Sequence, residues 1–216
     1  MKNVAKRTRA HKIFGFCSTS AMLALGLTLS ATRAHAESII RQPGNHPAYA
    51  VDLEPHAVLS IDDGPFASGG GFGLGARATI AFLKNGPIST INNDMGIGVG
   101  LDWVSLGNCY HGYWWQPYYN DCSIYSIYVP VVLQWNFYLT DIITVYGEPG
   151  LALRYSHISF NGGIAPNNIP YPPWSTSSTD LIPVFAGGAK FMFAKTVGLN
   201  VRLGYPYFSV GASILL

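Results

Sequence analysis

From residue 49 to residue 216 the chain alternates apolar and polar positions with a period of two, in eight runs. Successive side chains of a strand point to opposite faces, whereas a helix repeats its apolar positions every three or four residues, so these runs predict strands. The last run, 207–216, sets Phe208, Val210, Ala212, Ile214 and Leu216 on one face and Tyr207, Ser209, Gly211 and Ser213 on the other. The fourth, about 124–139, has the longest alternation: Tyr125, Ile127, Val129, Val131, Leu133, Trp135, Phe137 and Leu139 oppose Ser126, Tyr128, Gln134 and Asn136. The others are predicted at about 49–61, 71–83, 94–105, 143–158, 180–194 and 197–205, with 180–194 the weakest.

Charge follows the same parity. No Lys, Arg, Asp or Glu falls on the apolar face of any run. Arg77, Arg154, Lys190 and Arg202 share the opposite face with Asp52, Glu54, Asp102 and Glu148. An Arg or Lys facing lipid at the bilayer midplane costs about 2–4 kcal/mol, so a bilayer selects this segregation. Opposite charges inside a narrow lumen pair with one another. A soluble barrel would show the same alternation with inside and outside exchanged. Three features favour the membrane reading. Aromatic residues stand near both ends of the apolar face (Tyr49, Phe82, Phe137 and Phe193 at one rim; Phe72, Trp103, Tyr125, Tyr155 and Tyr205 at the other), as in interfacial girdles. Glycines crowd the charged face. Alternate connections differ in length, with short turns near Thr140-Asp141 and Lys195-Thr196 and longer loops after the first, third and fifth runs. Short periplasmic turns and long external loops would put both termini in the periplasm.

The N-terminal residues agree with export. Lys2, Lys6, Arg7, Arg9 and Lys12 precede an apolar stretch, and Ala34-His35-Ala36 forms an A-x-A cleavage pattern, so residues 1–36 are read as a signal peptide. Six of the thirteen Lys and Arg lie there; the remaining chain holds seven basic and eleven acidic residues, a net charge of −4. The basic character of the full chain therefore belongs to the exported leader and does not point to nucleic acid. Residues 37–48, with Pro43 and Pro47, are expected to be a loose periplasmic leader, and 49–216 a single barrel domain. Cys109 and Cys122, in an exported protein, are expected to form a disulfide. No metal or other cofactor is implied.

The terminal run Ser209-x-Gly211-x-x-Ile214-x-Leu216 resembles the C-terminal signature of bacterial outer-membrane β-barrels, with Leu216 where those proteins usually carry Phe or Trp. The chain as a whole resembles the small eight-stranded outer-membrane barrels of the OmpX and OmpA-transmembrane type. The resemblance implies an all-β fold, a single eight-stranded antiparallel up-and-down transmembrane barrel, in the outer membrane of a Gram-negative cell. It also implies contact with outer-membrane lipid and recognition of Ser209–Leu216 by the barrel-assembly machinery. Members of the family have diverse roles, so the fold does not choose among them.

Three candidate sites follow. The loop 107–123 carries Tyr110, Tyr113, Trp114, Trp115, Tyr118 and Tyr119 between its cysteines. It is read either as an aromatic binding surface for an external ligand or as rings lying on the headgroups or the barrel mouth. The lumen charges suggest a narrow pore or, with more weight, a buried network that stiffens the barrel, since eight strands leave room for little beyond side chains. His56 beside Glu54 has the same structural reading. Finally, His157-Ile158-Ser159 resembles the His-x-Ser segment of outer-membrane lipid A deacylases, which implies an ester hydrolase with Ser159 as nucleophile and His157 as base. Phe160 interrupts the remainder of that motif, and three strands follow it where the family motif is near the C-terminus. The favoured reading is a non-enzymatic barrel with a structural or surface-interaction role. Loop 159–178, rich in Pro, Asn, Ser and Thr, is expected to be mobile.

Overall fold

The computed structural model describes residues 37–60, 70–106, 110–111, 118–119, 122–164 and 170–216. The signal segment 1–36 lies outside them, as do Cys109, Tyr113, Trp114 and Trp115. Eight strands close an antiparallel barrel: β1 (Val51–Ser60), β2 (Gly71–Leu83), β3 (Asn93–Leu106), β4 (Cys122–Tyr138), β5 (Ile143–Phe160), β6 (Trp174–Met192), β7 (Val197–Tyr205) and β8 (Tyr207–Leu215). Each strand pairs with its sequence neighbours, and β1 closes on β8 with Asp52 opposite Leu215 and Ser60 opposite Tyr207. Closure pairs the backbone of each strand with both neighbours, which is what hydrocarbon demands of a sheet, except at residues 174–184 of β6, which among the described residues pair with β5 alone.

The alternation assigns the two sides. Leu74, Leu101, Leu181 and Leu203 stand on the outer wall, 59–67% exposed. Asp52, Glu54, Arg77, Asp102, Gln134, Glu148 and Arg202 are almost wholly buried inside. Greasy outside and ionic inside is the arrangement of a barrel solvated by lipid. Phe72, Phe82, Trp103, Phe193 and Tyr205 are exposed toward the rims. Tyr49 corrects the girdle expectation. The chain bends before β1, Tyr49 is buried, and its hydroxyl donates inward to Asp94 at 3.0 Å.

Two further expectations change at the ends. Residues 37–48 are not loose. Ser38 bridges to Thr140, Ile39 is buried with its N–H on the Leu139 carbonyl (3.0 Å), and Asn92 donates to the Ile40 carbonyl (2.7 Å) and, through its side chain, to the Asn45 carbonyl (2.6 Å). His46 stacks on Tyr138 at 4.6 Å and donates from Nε2 to the Lys84 carbonyl at 2.7 Å. The connection between β2 and β3 is thus longer than a tight turn because it forms the dock for this strap.

At the other end, part of the expected mobile loop is strand. β6 begins at Trp174 and β5 continues to Phe160, paired from Trp174 opposite Phe160 to Ser178 opposite Ser156. The Ser-Thr sequence there lacks a greasy face because, beyond the hydrocarbon, neither face has to meet lipid. The turn between β7 and β8 is the single residue Pro206, and β7 meets β6 no higher than Tyr205 opposite Phe185.

Candidate functional site

Inward side chains stack in layers from the turn end, where β4–β5 and β6–β7 reverse, to the loop end. At the turn end Asp94 accepts from the hydroxyls of Tyr49 (3.0 Å) and Tyr138 (2.5 Å) and from the Asn136 amide (2.6 Å). A cavity of about 20 Å³ lined by Tyr49, Asn136, Tyr138 and Lys190 lies here, room for about one water. Above it Lys190 bridges Asp52 and Glu54, the latter at 3.0 Å, and Arg202 bridges Glu54 and Glu148. Arg77 donates to the same Glu148 carboxylate at 2.7 Å. Next, Asp102 meets His56 Nε2 at 2.8 Å and the Tyr207 hydroxyl, with Arg77 3.9 Å away. Neutral donors and acceptors complete the shells: Asn200 donates to Glu54 (2.8 Å), Tyr146 to Asn200 (2.7 Å) and Ser213 to Asp52 (2.8 Å).

Seven of the eight predicted lumen charges meet in this network: Asp52, Glu54, Arg77, Asp102, Glu148, Lys190 and Arg202. Arg154 does not. It sits toward the loop end, partly exposed, paired with Asp180 at 3.3 Å. Its parity is inward, but β5 there has passed beyond the apolar belt. Asp94 was absent from the predicted set, although it shares the inward parity of Asp102; the signal was present one position into β3.

The network needs space at two glycines. A Cβ on Gly75 would stand 2.0 Å from Asp102 Oδ1 and 2.7 Å from His56 Nε2, and one on Gly188 would meet the Tyr146 ring at 2.3 Å. The loop-end half of the interior is different. Val58, Val104, Val132, Ala152, Ile182 and Val184 pack with Tyr128 and Tyr207 into a dry plug, topped by Ile124 and Phe160. Tyr128 and Tyr207 were already on the inward face by parity; the aliphatic residues occupy inward positions that the parity count left unremarked.

The remaining candidates lie at the loop end. Tyr110 and His111 pair with Tyr119 and Tyr118 in a two-residue ladder between β3 and β4. With Cys109 outside the described residues, the Cys109–Cys122 bond stays an expectation. His157 and Ser159 share the outward face of β5. Among the described residues no hydrogen bond joins them; the His157 ring lies 5.2 Å from that of Tyr125. The acids nearest in sequence are engaged elsewhere, Glu148 with Arg77 and Arg202, Asp180 with Arg154 and Ser178. No group of three or more His, Cys, Asp or Glu among the described residues is placed to hold a metal ion.

Comparison with known proteins finds similar solved structures and a matching family model. The Ail attachment invasion locus protein of Yersinia pestis is 14% identical and covers 77% of this chain and 96% of its own, with a TM-score of 0.44. That protein has also been crystallised with the heparin analogue sucrose octasulfate. Neisserial surface protein A is likewise 14% identical, over 77% of this chain and 97% of its own, with a TM-score of 0.43. No curated protein matches the chain. Residues 21–213 match the family model for the outer membrane protein beta-barrel domain. A closed eight-stranded barrel with a lipid-facing outer wall and a match that spans nearly the whole chain have one reading: this protein belongs to the outer membrane protein beta-barrel domain family, as an integral protein of the bacterial outer membrane.

Proposed function

We propose that this protein is a non-enzymatic, non-conducting barrel that anchors interaction surfaces at the outer face of the cell. Residues 1–36 are removed on export, both termini face the periplasm, and the barrel-assembly machinery recognises Ser209–Leu216. The observation that carries the reading is the height of β5 and β6. Residues 174–184 of β6 pair with β5 on one side and, among the described residues, with no strand on the other. An open edge presents backbone donors and acceptors to an incoming strand. The aromatic loop 107–123, of which Tyr110–His111 and Tyr118–Tyr119 form a ladder, joins β3 to β4.

The test is adhesion. Replacing residues 107–123 by a short Gly-Ser turn should leave a barrel that still resists SDS until heated, while cells displaying it lose surface binding shown by cells with the full protein. Equal binding by both would remove the loop from the function, and a barrel that no longer folds would make the loop structural. Ester release by the purified protein in detergent micelles, abolished by Ser159→Ala, would replace this proposal with the hydrolase.

A further inference from the structure

All seven Lys and Arg beyond residue 36 are accounted for. Arg77, Lys190 and Arg202 are buried in the lumen, and Arg154 is paired with Asp180 at inward positions of β5 and β6. Arg41, Lys84 and Lys195 lie at the turn end, in the strap, the β2–β3 connection and the β6–β7 turn. The loop-end outer wall thus carries no cation that could clamp a phosphate.

It carries no Lys or Arg; what it carries instead is a lattice. The register aligns Ser123, Ser159 and Ser175 in one row, Tyr125, His157 and Ser177 in the next, and Ile127, Tyr155 and Thr179 in the third. All nine share the outward parity of β4, β5 and β6. Tyr125 is the centre of an aromatic cluster, 5.2 Å from the His157 ring and 6.4 Å from that of Tyr155. Immediately below, Val129, Leu153 and Leu181 begin the exposed aliphatic belt. With strands ~4.8 Å apart and ~3.4 Å per residue, the patch measures about 10 Å by 14 Å.

We propose that this patch holds the saccharide headgroup of an outer-leaflet glycolipid whose acyl chains lie on the aliphatic belt. Sugar rings stack their C–H faces on aromatic rings and exchange hydrogen bonds with hydroxyls, and the patch supplies both in a flat array without Lys, Arg, Asp or Glu. Its continuity with the belt lets the acyl chains of the same molecule add to contacts that the sugar makes by itself. The absent cations select the sugar, not a phosphate, as the recognised group. The inference rests on the proposed orientation, which places the loop end outside.

The probe is lipid-free, dephosphorylated core oligosaccharide from lipopolysaccharide, titrated against the full barrel in phospholipid nanodiscs. Saturable binding is expected, unchanged between ~0.05 and ~0.5 M salt because no ion pair is involved. Tyr125→Ala with His157→Ala should weaken it about tenfold while heat-modifiability is retained. Absence of saturable binding by the folded, unsubstituted barrel would overturn the proposal, as would binding that salt abolishes or that the double substitution leaves unchanged. Orientation is read separately. A Ser177→Cys variant should react with a membrane-impermeant maleimide on intact cells, and protection there with reaction in lysed cells would defeat the orientation whatever the oligosaccharide does.

Discussion

At the scale of single residues, the lumen distinguishes ions that are indispensable from one that is not. Glu148 accepts from both Arg77 and Arg202 and is fully buried. Removing its charge leaves two guanidinium groups short of a counter-ion in a site closed to water. Glu148→Gln should therefore cost about 3–5 kcal/mol, measured as a lowered urea midpoint in the gel-shift assay. Arg154 pairs with Asp180 where both side chains reach solvent. Arg154→Ala should change stability by under about 1 kcal/mol. The sequence grouped these residues because parity was the only information available; depth along the barrel separates them. Glycines divide in the same way. Gly188→Ala drives a methyl into Tyr146 and should destabilise by about 1–3 kcal/mol, whereas Gly147→Ala meets nothing within 4 Å and should be neutral to within about 1 kcal/mol in the same assay.

Among the elements, the strap at residues 37–48 and the upper part of β6 depart most from a strand-by-strand reading. The strap makes several backbone and side-chain hydrogen bonds to the β2–β3 connection and the end of β4, and His46 adds a stack on Tyr138. Each such hydrogen bond contributes about 0.5–1.5 kcal/mol net. Deleting residues 37–48 should leave a heat-modifiable barrel, yet expose the Asp94 cluster. Hydrogen exchange at Asn136 and Tyr138 should then accelerate at least severalfold; unchanged protection would mean the strap does not cover the lumen. The proline-rich composition of this segment suggested looseness because its partners, Lys84, Asn92, Tyr138 and Leu139, are far away in sequence, the nearest separated by 38 residues. Upper β6 was missed for a different reason. Period-two patterning is a record of one face meeting hydrocarbon, and residues 174–179 are exposed on both faces.

Across the whole molecule, the interior is closed twice. Ionic and polar side chains fill the turn-end half, and the valine-rich plug fills the loop-end half. A dry apolar layer is a barrier to ions even if the polar half admits water. Purified protein in planar bilayers should therefore give a flat trace at moderate voltage, and steady unit conductance would refute the closed lumen. Burial of seven ions is compatible with a stable fold because each is held by opposite charge, and because the barrel wall holds their backbones in fixed register.

The number of strands, their order, the side each residue within the strands faces and the ionic character of the lumen were determined by the amino-acid sequence alone; Tyr49, just before β1, was not. Lipid penalises a single misplaced charge by several kcal/mol, so every strand inside the bilayer records its orientation locally, residue by residue. The tertiary structure alone decided how far β5 and β6 rise, which inward residues form the plug, where the strap docks and which carboxylate each cation meets. Those outcomes depend on contacts between residues far apart in the chain or on positions outside hydrocarbon, and at such places a side chain's own sequence neighbours carry no trace of its partner.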